Sequence, residues 1–268
     1  MKTGRFDLVE VLVIGFGVAV ATFVLSETAK PIPPRDVLML GSMGASELVP
    51  LRESYGPDRA SRNAEEWIIR DFFQDRRDGV FLDVGAHHYR DESNTYFLET
   101  ALGWRGVAID AQVEFADDYR THRPRTTFLA RFVSDTSDST AQLHVPSSNT
   151  LVASEVAAFA EHEAREKAVS RPVATITLDD VLRDTGIERL DFLSMDIELS
   201  EPKALAGFDI ARYRPELVCI EAHRQVRQAI LDYFYRHGYV LVGKYLRIDP
   251  LNLFFTPLDE PVDGQATG

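Results

Sequence analysis

The chain has a single cysteine, Cys219, in 268 residues. An internal disulfide and a thiolate metal site are therefore both excluded. Cys219 lies in an apolar run and reads as a small core residue, with no neighbour in sequence that would polarise a thiol nucleophile. Positive charge is also scarce: 29 Lys and Arg stand against 42 Asp and Glu, a net charge of -13. That balance argues against non-specific nucleic-acid binding, which depends on neutralising phosphates, and no nucleic-acid partner is expected. No Gly-Lys-Ser/Thr phosphate loop occurs, and no Gly-x-Gly-x-x-Gly stands where a dinucleotide-binding turn would need it. Internal repeats are absent. What remains, 45% hydrophobic and 26% charged residues, is the composition of a folded globular chain.

One long apolar run exists, over residues 8–25, with Glu10 near its start. It is slightly short of the roughly 20 residues of a spanning helix, but flanking residues can extend it. Its glycines and β-branched residues suit a membrane helix, and residues 1–29 are read as an N-terminal single-pass anchor. A cleaved signal peptide and a buried core helix are the alternatives; Val24-Leu25-Ser26 is a weak cleavage site. Lys2 and Arg5 on one side balance Lys30 and Arg35 on the other, so charge does not set orientation. Residues 30–60 read as a proline-containing linker: Lys30-Pro31-Ile32-Pro33-Pro34-Arg35 is a stiff, extended spacer, and residues 36–60, without a sustained period, read as a tether to the domain. A domain over 61–258 and a tail over 259–268 complete the expected organisation.

Within the domain, short apolar strand patterns alternate with helical ones, which indicates a doubly wound, mostly parallel α/β sheet. An amphipathic helix over 63–74 carries Trp67, Ile68, Ile69, Phe72 and Phe73, and strands follow at 80–84, 106–110 and 127–133. A charged helix is expected over 151–169, as a solvated face or a lid. Further strands are expected at 141–145, 173–178, 190–196, 217–221, 239–242 and 251–256, with the last long helix at 224–237.

The first strand runs into Asp83 and turns through Gly85, and the second ends on the carboxylate of Asp110. In such sheets ligands bind beyond the carboxyl ends of the strands, where strand order reverses. Asp110 is placed there to accept hydrogen bonds from the two ribose hydroxyls of a nucleoside. The turn Gly85-Ala86-His87-His88-Tyr89 has one glycine, too few for close approach of a pyrophosphate. A nucleoside cofactor without phosphates fits better, and S-adenosylmethionine is the common one. Asp83, Gly85, Ala86, Asn94, Asp110, Ser134 and Asp135 are the expected cofactor-binding residues.

Several stretches in register resemble the FkbM-type methyltransferases. They are Phe81-Leu82-Asp83-Val84-Gly85-Ala86, Ser93-Asn94-Thr95-Tyr96-Phe97-Leu98-Glu99, Leu102-Gly103-Trp104-Arg105-Gly106, Thr177-Leu178-Asp179-Asp180, Asp191-Phe192-Leu193-Ser194-Met195-Asp196-Ile197-Glu198, Gly207-Phe208-Asp209, and Arg212-Tyr213-Arg214-Pro215 leading to Ile220-Glu221. The resemblance spans residues 63–256. It implies the Rossmann-like, seven-stranded class I methyltransferase fold and methyl transfer from S-adenosylmethionine, usually to a hydroxyl of a sugar, polyketide or lipid-like acceptor. Two positions depart from the family pattern: Tyr89 where a further glycine is common, and Leu199 where the family has glycine in Asp-x-Glu-Gly-x-Glu.

Transfer to an alcohol needs alignment of donor and acceptor and a group to take the proton. Asp196, Glu198, Glu221 and His223 stand at the ends of the fourth and fifth strands, with Asp196, Glu198 and His223 as the expected catalytic residues. Alternatively, Asp196, Glu221 and His223 hold a divalent metal such as Mg that acidifies the acceptor hydroxyl. Glu201 reads as a helix-starting carboxylate that favours the helix dipole. Either His87 or His88 is expected to touch substrate. Because the donor is made in the cytoplasm, the domain is expected to face it, with an acceptor presented near the membrane as a small molecule, glycan or lipid. A non-catalytic membrane protein that uses the same fold for protein or glycan recognition is the alternative.

Overall fold

A computed structural model describes residues 45–249 and 251–258. The expected anchor (1–29), the first part of the linker and the tail (259–268) lie outside the described residues. Among the described residues, no helix is long and apolar enough to cross a membrane.

Seven strands form the main sheet, in the order β3-β2-β1-β7-β8-β10-β9. They are β1 (Val80–Val84), β2 (Arg105–Asp110), β3 (Thr126–Ala130), β7 (Phe192–Met195), β8 (Leu217–Glu221), β9 (Tyr239–Leu241) and β10 (Asn252–Pro257). β1 pairs in parallel with both β2 and β7, β2 with β3, and β7 with β8. Only β10 runs against its neighbours, β8 and β9. The chain leaves β1 outward through β2 and β3, then returns to the other side of β1 with β7. Strand order therefore reverses between β1 and β7, and the crevice beyond their carboxyl ends is the expected place for a ligand.

Side-chain alternation divides the sheet into two faces. Leu82, Val84, Leu193, Met195, Val218 and Ile220 pack on one side with Leu178, Val181 and Phe234. Phe81, Phe192, Cys219 and Phe254 pack on the other with α2 (Glu65–Phe73) through Trp67, Ile68, Ile69 and Phe73. Full burial of side chains of this size stabilises by roughly 1.5–3 kcal/mol each. Cys219, 1% exposed, is core, as its apolar run implied.

Three expectations change. Residues 45–55 are not tether but helix α1 (Ala45–Tyr55); leucines three apart place Leu51 in the α2 face of the core, with Leu48 against it. The third strand is shorter than expected and breaks at Arg131, after which β4 (Phe132–Val133) joins a second sheet, β4-β6-β5. The expected helix over 151–169 is only α5 (Ala157–Ala164). Arg165 takes a left-handed conformation, φ 58°, and ends it. The chain then extends as β6 (Ala168–Ile176), antiparallel to β5 (Thr140–Pro146). Hairpin pairing captured residues whose charges had suggested a helical face.

Candidate functional site

A small cleft of about 70 Å³, partly open to solvent, lies at the switch point between β1 and β7. Its floor is the turn after β1. Gly85 has φ 82°, and a Cβ there would stand 1.7 Å from the Asp196 carbonyl oxygen. Only glycine allows these two strand ends to meet. The N–H groups of Gly85 and Ala86 both donate to the Ile109 carbonyl, at 2.8 and 3.0 Å, which ties the turn to β2.

Asp110 lines the cleft. Its Oδ2 accepts from the His87 N–H at 2.9 Å and its Oδ1 from the Gln112 N–H at 2.8 Å. Each oxygen keeps a lone pair for a further donor. Burial pushes this carboxyl up to about 6 despite those two N–H groups. His87 is at φ 47°, packs on Phe115 at 4.3 Å and reaches Thr150 Oγ1 with Nε2 at 3.0 Å. Its pKa falls to about 4, chiefly through burial and then through His88, so the ring is neutral. His88 turns away and accepts the Asp91 N–H at 2.9 Å.

The other expected cofactor residues separate. Ala86 is buried beneath the turn, and its carbonyl accepts from the Tyr119 hydroxyl at 3.2 Å. Asp83 is 4% exposed, on the face of β1 away from Val84; it accepts from Thr95 Oγ1 at 2.6 Å. Asn94 donates to Ser194 Oγ at 3.1 Å, one strand across from Asp83. Ser134 and Asp135 do not line the cleft: after the break at Arg131 they follow β4, the Ser134 N–H donates to the Ile176 carbonyl at 2.9 Å, and their backbone lies against Gly207. Gln112, Arg131, Phe132, Leu151 and Ala153 line the cleft instead. Gln112 follows the acidic strand end by two residues, a signal available in the sequence. Leu151 and Ala153 arrive only through tertiary folding.

On the β7–β8 side, Met195 pairs with Ile220, so the next residues, Asp196 and Glu221, stand side by side. Asp196 opens onto the cleft, yet the cleft is recessed among protein atoms. Burial, then Glu221 and Glu198, hold its carboxyl well above the ordinary range. Beyond it, Glu198 and Leu199 have φ 54° and 80°, a left-handed pair that reverses the chain into α7 (Glu201–Ala206). Glu201, the first residue of that helix, folds back so that its Oε1 accepts the Ile197 N–H at 3.0 Å. Leu199 thus keeps the backbone that a glycine would adopt without strain. Tyr89, the other departure, stacks on His122 at 4.5 Å, and its carbonyl accepts from Arg123 at 2.8 Å.

His223 Nε2 lies 3.1 Å from Glu198 Oε2 and 3.0 Å from Glu221 Oε2. Those hydrogen bonds, Glu198 first, raise its pKa to about 10, so it is an imidazolium at neutral pH. Phe159 of α5 abuts its ring edge-on at 5.0 Å, and Ser154 donates to the Glu198 carbonyl at 2.6 Å. The structure therefore brings Asp196, Glu198, Glu221 and His223 together, and adds Glu201 to them.

A seven-stranded sheet with one reversed strand, a glycine turn after β1 and a carboxylate ending β2 define a class I, Rossmann-like methyltransferase fold. Residues 83–241, more than half of the chain, match the methyltransferase FkbM domain. The chain belongs to the FkbM methyltransferase family, whose methyl donor is S-adenosylmethionine. No curated protein gives a match. Among solved structures, a TehB-like S-adenosylmethionine-dependent methyltransferase from Corynebacterium glutamicum aligns at 13% identity, over 80% of this chain and 96% of that one, with a TM-score of 0.40. An O-methyltransferase from Bacillus cereus, solved with S-adenosylhomocysteine, aligns at 14% identity over 90% and 97%, with a TM-score of 0.39. The assignment rests on the family match.

Proposed function

We propose that this protein transfers a methyl group from S-adenosylmethionine to a hydroxyl oxygen of a sugar, lipid-linked or polyketide-like acceptor. The observation that carries the reading is the meeting of the Gly85 turn with the Asp196 carbonyl beside Asp110. The residues fit the cofactor. Gly85 itself has no side chain at the floor of the cleft, the His87 ring lines it as a neutral imidazole, and Asp110 keeps an open lone pair on each oxygen for the ribose hydroxyls. When bound, S-adenosylmethionine supplies the electrophilic methyl group.

Asp196 takes the acceptor proton. It is exposed at the cleft, and the crowding of protein atoms around it, then the Glu221 and Glu198 carboxylates, raise its proton affinity, which favours a general base. His223 already carries a proton and is held between Glu198 and Glu221, so it orients those carboxylates and serves as their counter-charge. Leu151 lines the cleft, and Phe159 covers the His223 ring.

The apolar run at 8–25 supports a further part of the proposal: a membrane anchor that holds the domain on the cytoplasmic side, near its donor and a membrane-presented acceptor. Protease protection of the domain from outside intact cells is the expected result; digestion there would refute the placement.

Calorimetric titration of S-adenosylmethionine and S-adenosylhomocysteine tests the central reading. Micromolar binding is expected, weakened at least ~100-fold in Asp110→Ala, by analogy with the loss of a charge-assisted hydrogen-bond pair. A folded chain that binds neither compound would favour the recognition protein over the enzyme.

A further inference from the structure

Four carboxylates converge at the ends of β7 and β8: Asp196, Glu198, Glu201 and Glu221. Among the described residues, His223 is the one basic side chain ion-paired to this group, and it is shared between Glu198 and Glu221. One carboxylate oxygen from each of Asp196, Glu201 and Glu221 lies within 4.8 Å of the others. Oxygens that surround a cation at about 2.0–2.6 Å can stand no further apart than roughly 4–5 Å, so the three can share one ion.

Glu201 supplies a second, independent observation. It is 0% exposed, and while Oε1 takes the Ile197 N–H, Oε2 has no hydrogen-bond partner. A buried carboxylate oxygen without a donor is costly unless something cationic satisfies it. The position is not accidental. Glu198 and Leu199 adopt left-handed conformations, and that reversal returns the first residue of α7 to the strand end. Strain in two successive non-glycine residues is sustained where it sets the geometry of a site.

We infer that Asp196, Glu201 and Glu221 form a binding site for a hard divalent cation of the Mg, Mn or Ca kind. The donor set is oxygen only, which suits those ions rather than zinc or iron. The sequence points to Asp196, Glu221 and His223; the structure groups Glu198, Glu221 and His223 as well as Asp196, Glu201 and Glu221, and the protonated His223 leaves the all-carboxylate group as the cation site. The imidazolium is thereby left to neutralise Glu198 and the far side of Glu221. Asp196 gives one oxygen to the cation, so an acceptor hydroxyl reaching its other oxygen also comes within reach of the metal. That role rests on the methyl-transfer reading; the existence of the site does not.

The test uses the full chain without cofactor. Thermal unfolding is followed with MgCl2, MnCl2 or CaCl2 alone after chelator treatment, and the Mn spin-resonance signal is titrated in parallel. The expected result is a rise of roughly 5–10 °C at metal concentrations about 100-fold above Kd. Glu201→Gln should abolish the rise, and His223→Asn should retain it. If Glu201→Gln does not fold, Asp196→Asn takes its place. No rise at millimolar metal in wild type overturns the site, as does a rise that survives Glu201→Gln or is lost in His223→Asn. S-adenosylmethionine titrated in chelator keeps the two readings separate. Cofactor binding without metal binding removes the cation alone, and metal binding without cofactor binding removes the methyltransferase reading alone.

Discussion

Two clusters of charge lie within this domain, one wholly buried and one at the cleft, and they are built on opposite terms. In the first, Arg123, 1% exposed, pairs with Glu99 and also donates to the carbonyls of Tyr89 and Thr95 and to the hydroxyls of Thr95 and Thr126. Glu99 takes the Arg125 N–H at 2.8 Å and the Thr126 hydroxyl as well. Thr95 continues the chain of bonds to Asp83. Donors there are matched to acceptors. In the second cluster, one imidazolium is shared by two of the four carboxylates, and a buried oxygen of Glu201 has no donor. Low dielectric strengthens a matched network and penalises an unmatched one. The first cluster holds the β1 turn in place behind the cleft; the second is open to the cleft and retains unspent capacity for a ligand.

If that contrast is right, Arg123→Met is the most damaging change. It strands Glu99 without its counter-charge and should cost about 3–5 kcal/mol in urea unfolding. A loss below about 1 kcal/mol would mean that the first cluster is not the structural one.

Asp110 stands between the two cases, a buried carboxylate satisfied by backbone N–H groups yet facing the ligand. Its pKa, raised to about 6 by burial, is above the ordinary carboxylate value. It is therefore ionised above that pH and protonated below it, and only the ionised form accepts from two hydroxyls. Cofactor affinity measured by calorimetry should be flat above neutral pH and fall up to about tenfold per unit below pH 6. The decline should vanish in Asp110→Asn. An affinity that is level down to pH 5 would remove Asp110 from the ribose site.

Glu201→Gln in metal-free protein should be nearly neutral, within about 1 kcal/mol, because it removes an unmatched charge and keeps an acceptor for the Ile197 N–H. A cost equal to that of Arg123→Met would erase the distinction between the clusters. The smallest effect is expected for Leu199→Gly. Relief of left-handed strain, about 1–2 kcal/mol, is largely offset by the added chain entropy of glycine, about 0.5–1 kcal/mol. A net gain of about 0.5–1 kcal/mol in thermal unfolding is the outcome; destabilisation would show that the leucine side chain packs for more than its backbone costs.

Legibility in the sequence differed between these regions for physical reasons. The Gly85 turn and Asp110 were readable because a strand that stops on a carboxylate and a glycine at positive φ are local requirements. The Asp196–Glu198–Glu221–His223 grouping was readable because adjacent parallel strands put their carboxyl ends together. Glu201 starts its helix as the sequence suggested, but nothing local shows that Glu198 and Leu199 reverse the chain and bring it back to the strand end. The pairing of Arg123 with Glu99, 24 residues apart, carries no spacing signal at all. The break at Arg131, after which Phe132–Val133 joins a second sheet ahead of Ser134 and Asp135, was not legible because the apolar residues on either side of Arg131 read as one strand.

The amino-acid sequence by itself therefore determined the class of sheet, the switch-point turn and the acidic strand ends, all of which follow from local periodicity and backbone preference. Tertiary structure alone decided which charges were neutralised, which segment of the 140–176 hairpin walled the cleft, and which carboxylate was left without a donor. Those depend on long-range packing and on the dielectric it creates, and neither is a property of neighbouring residues.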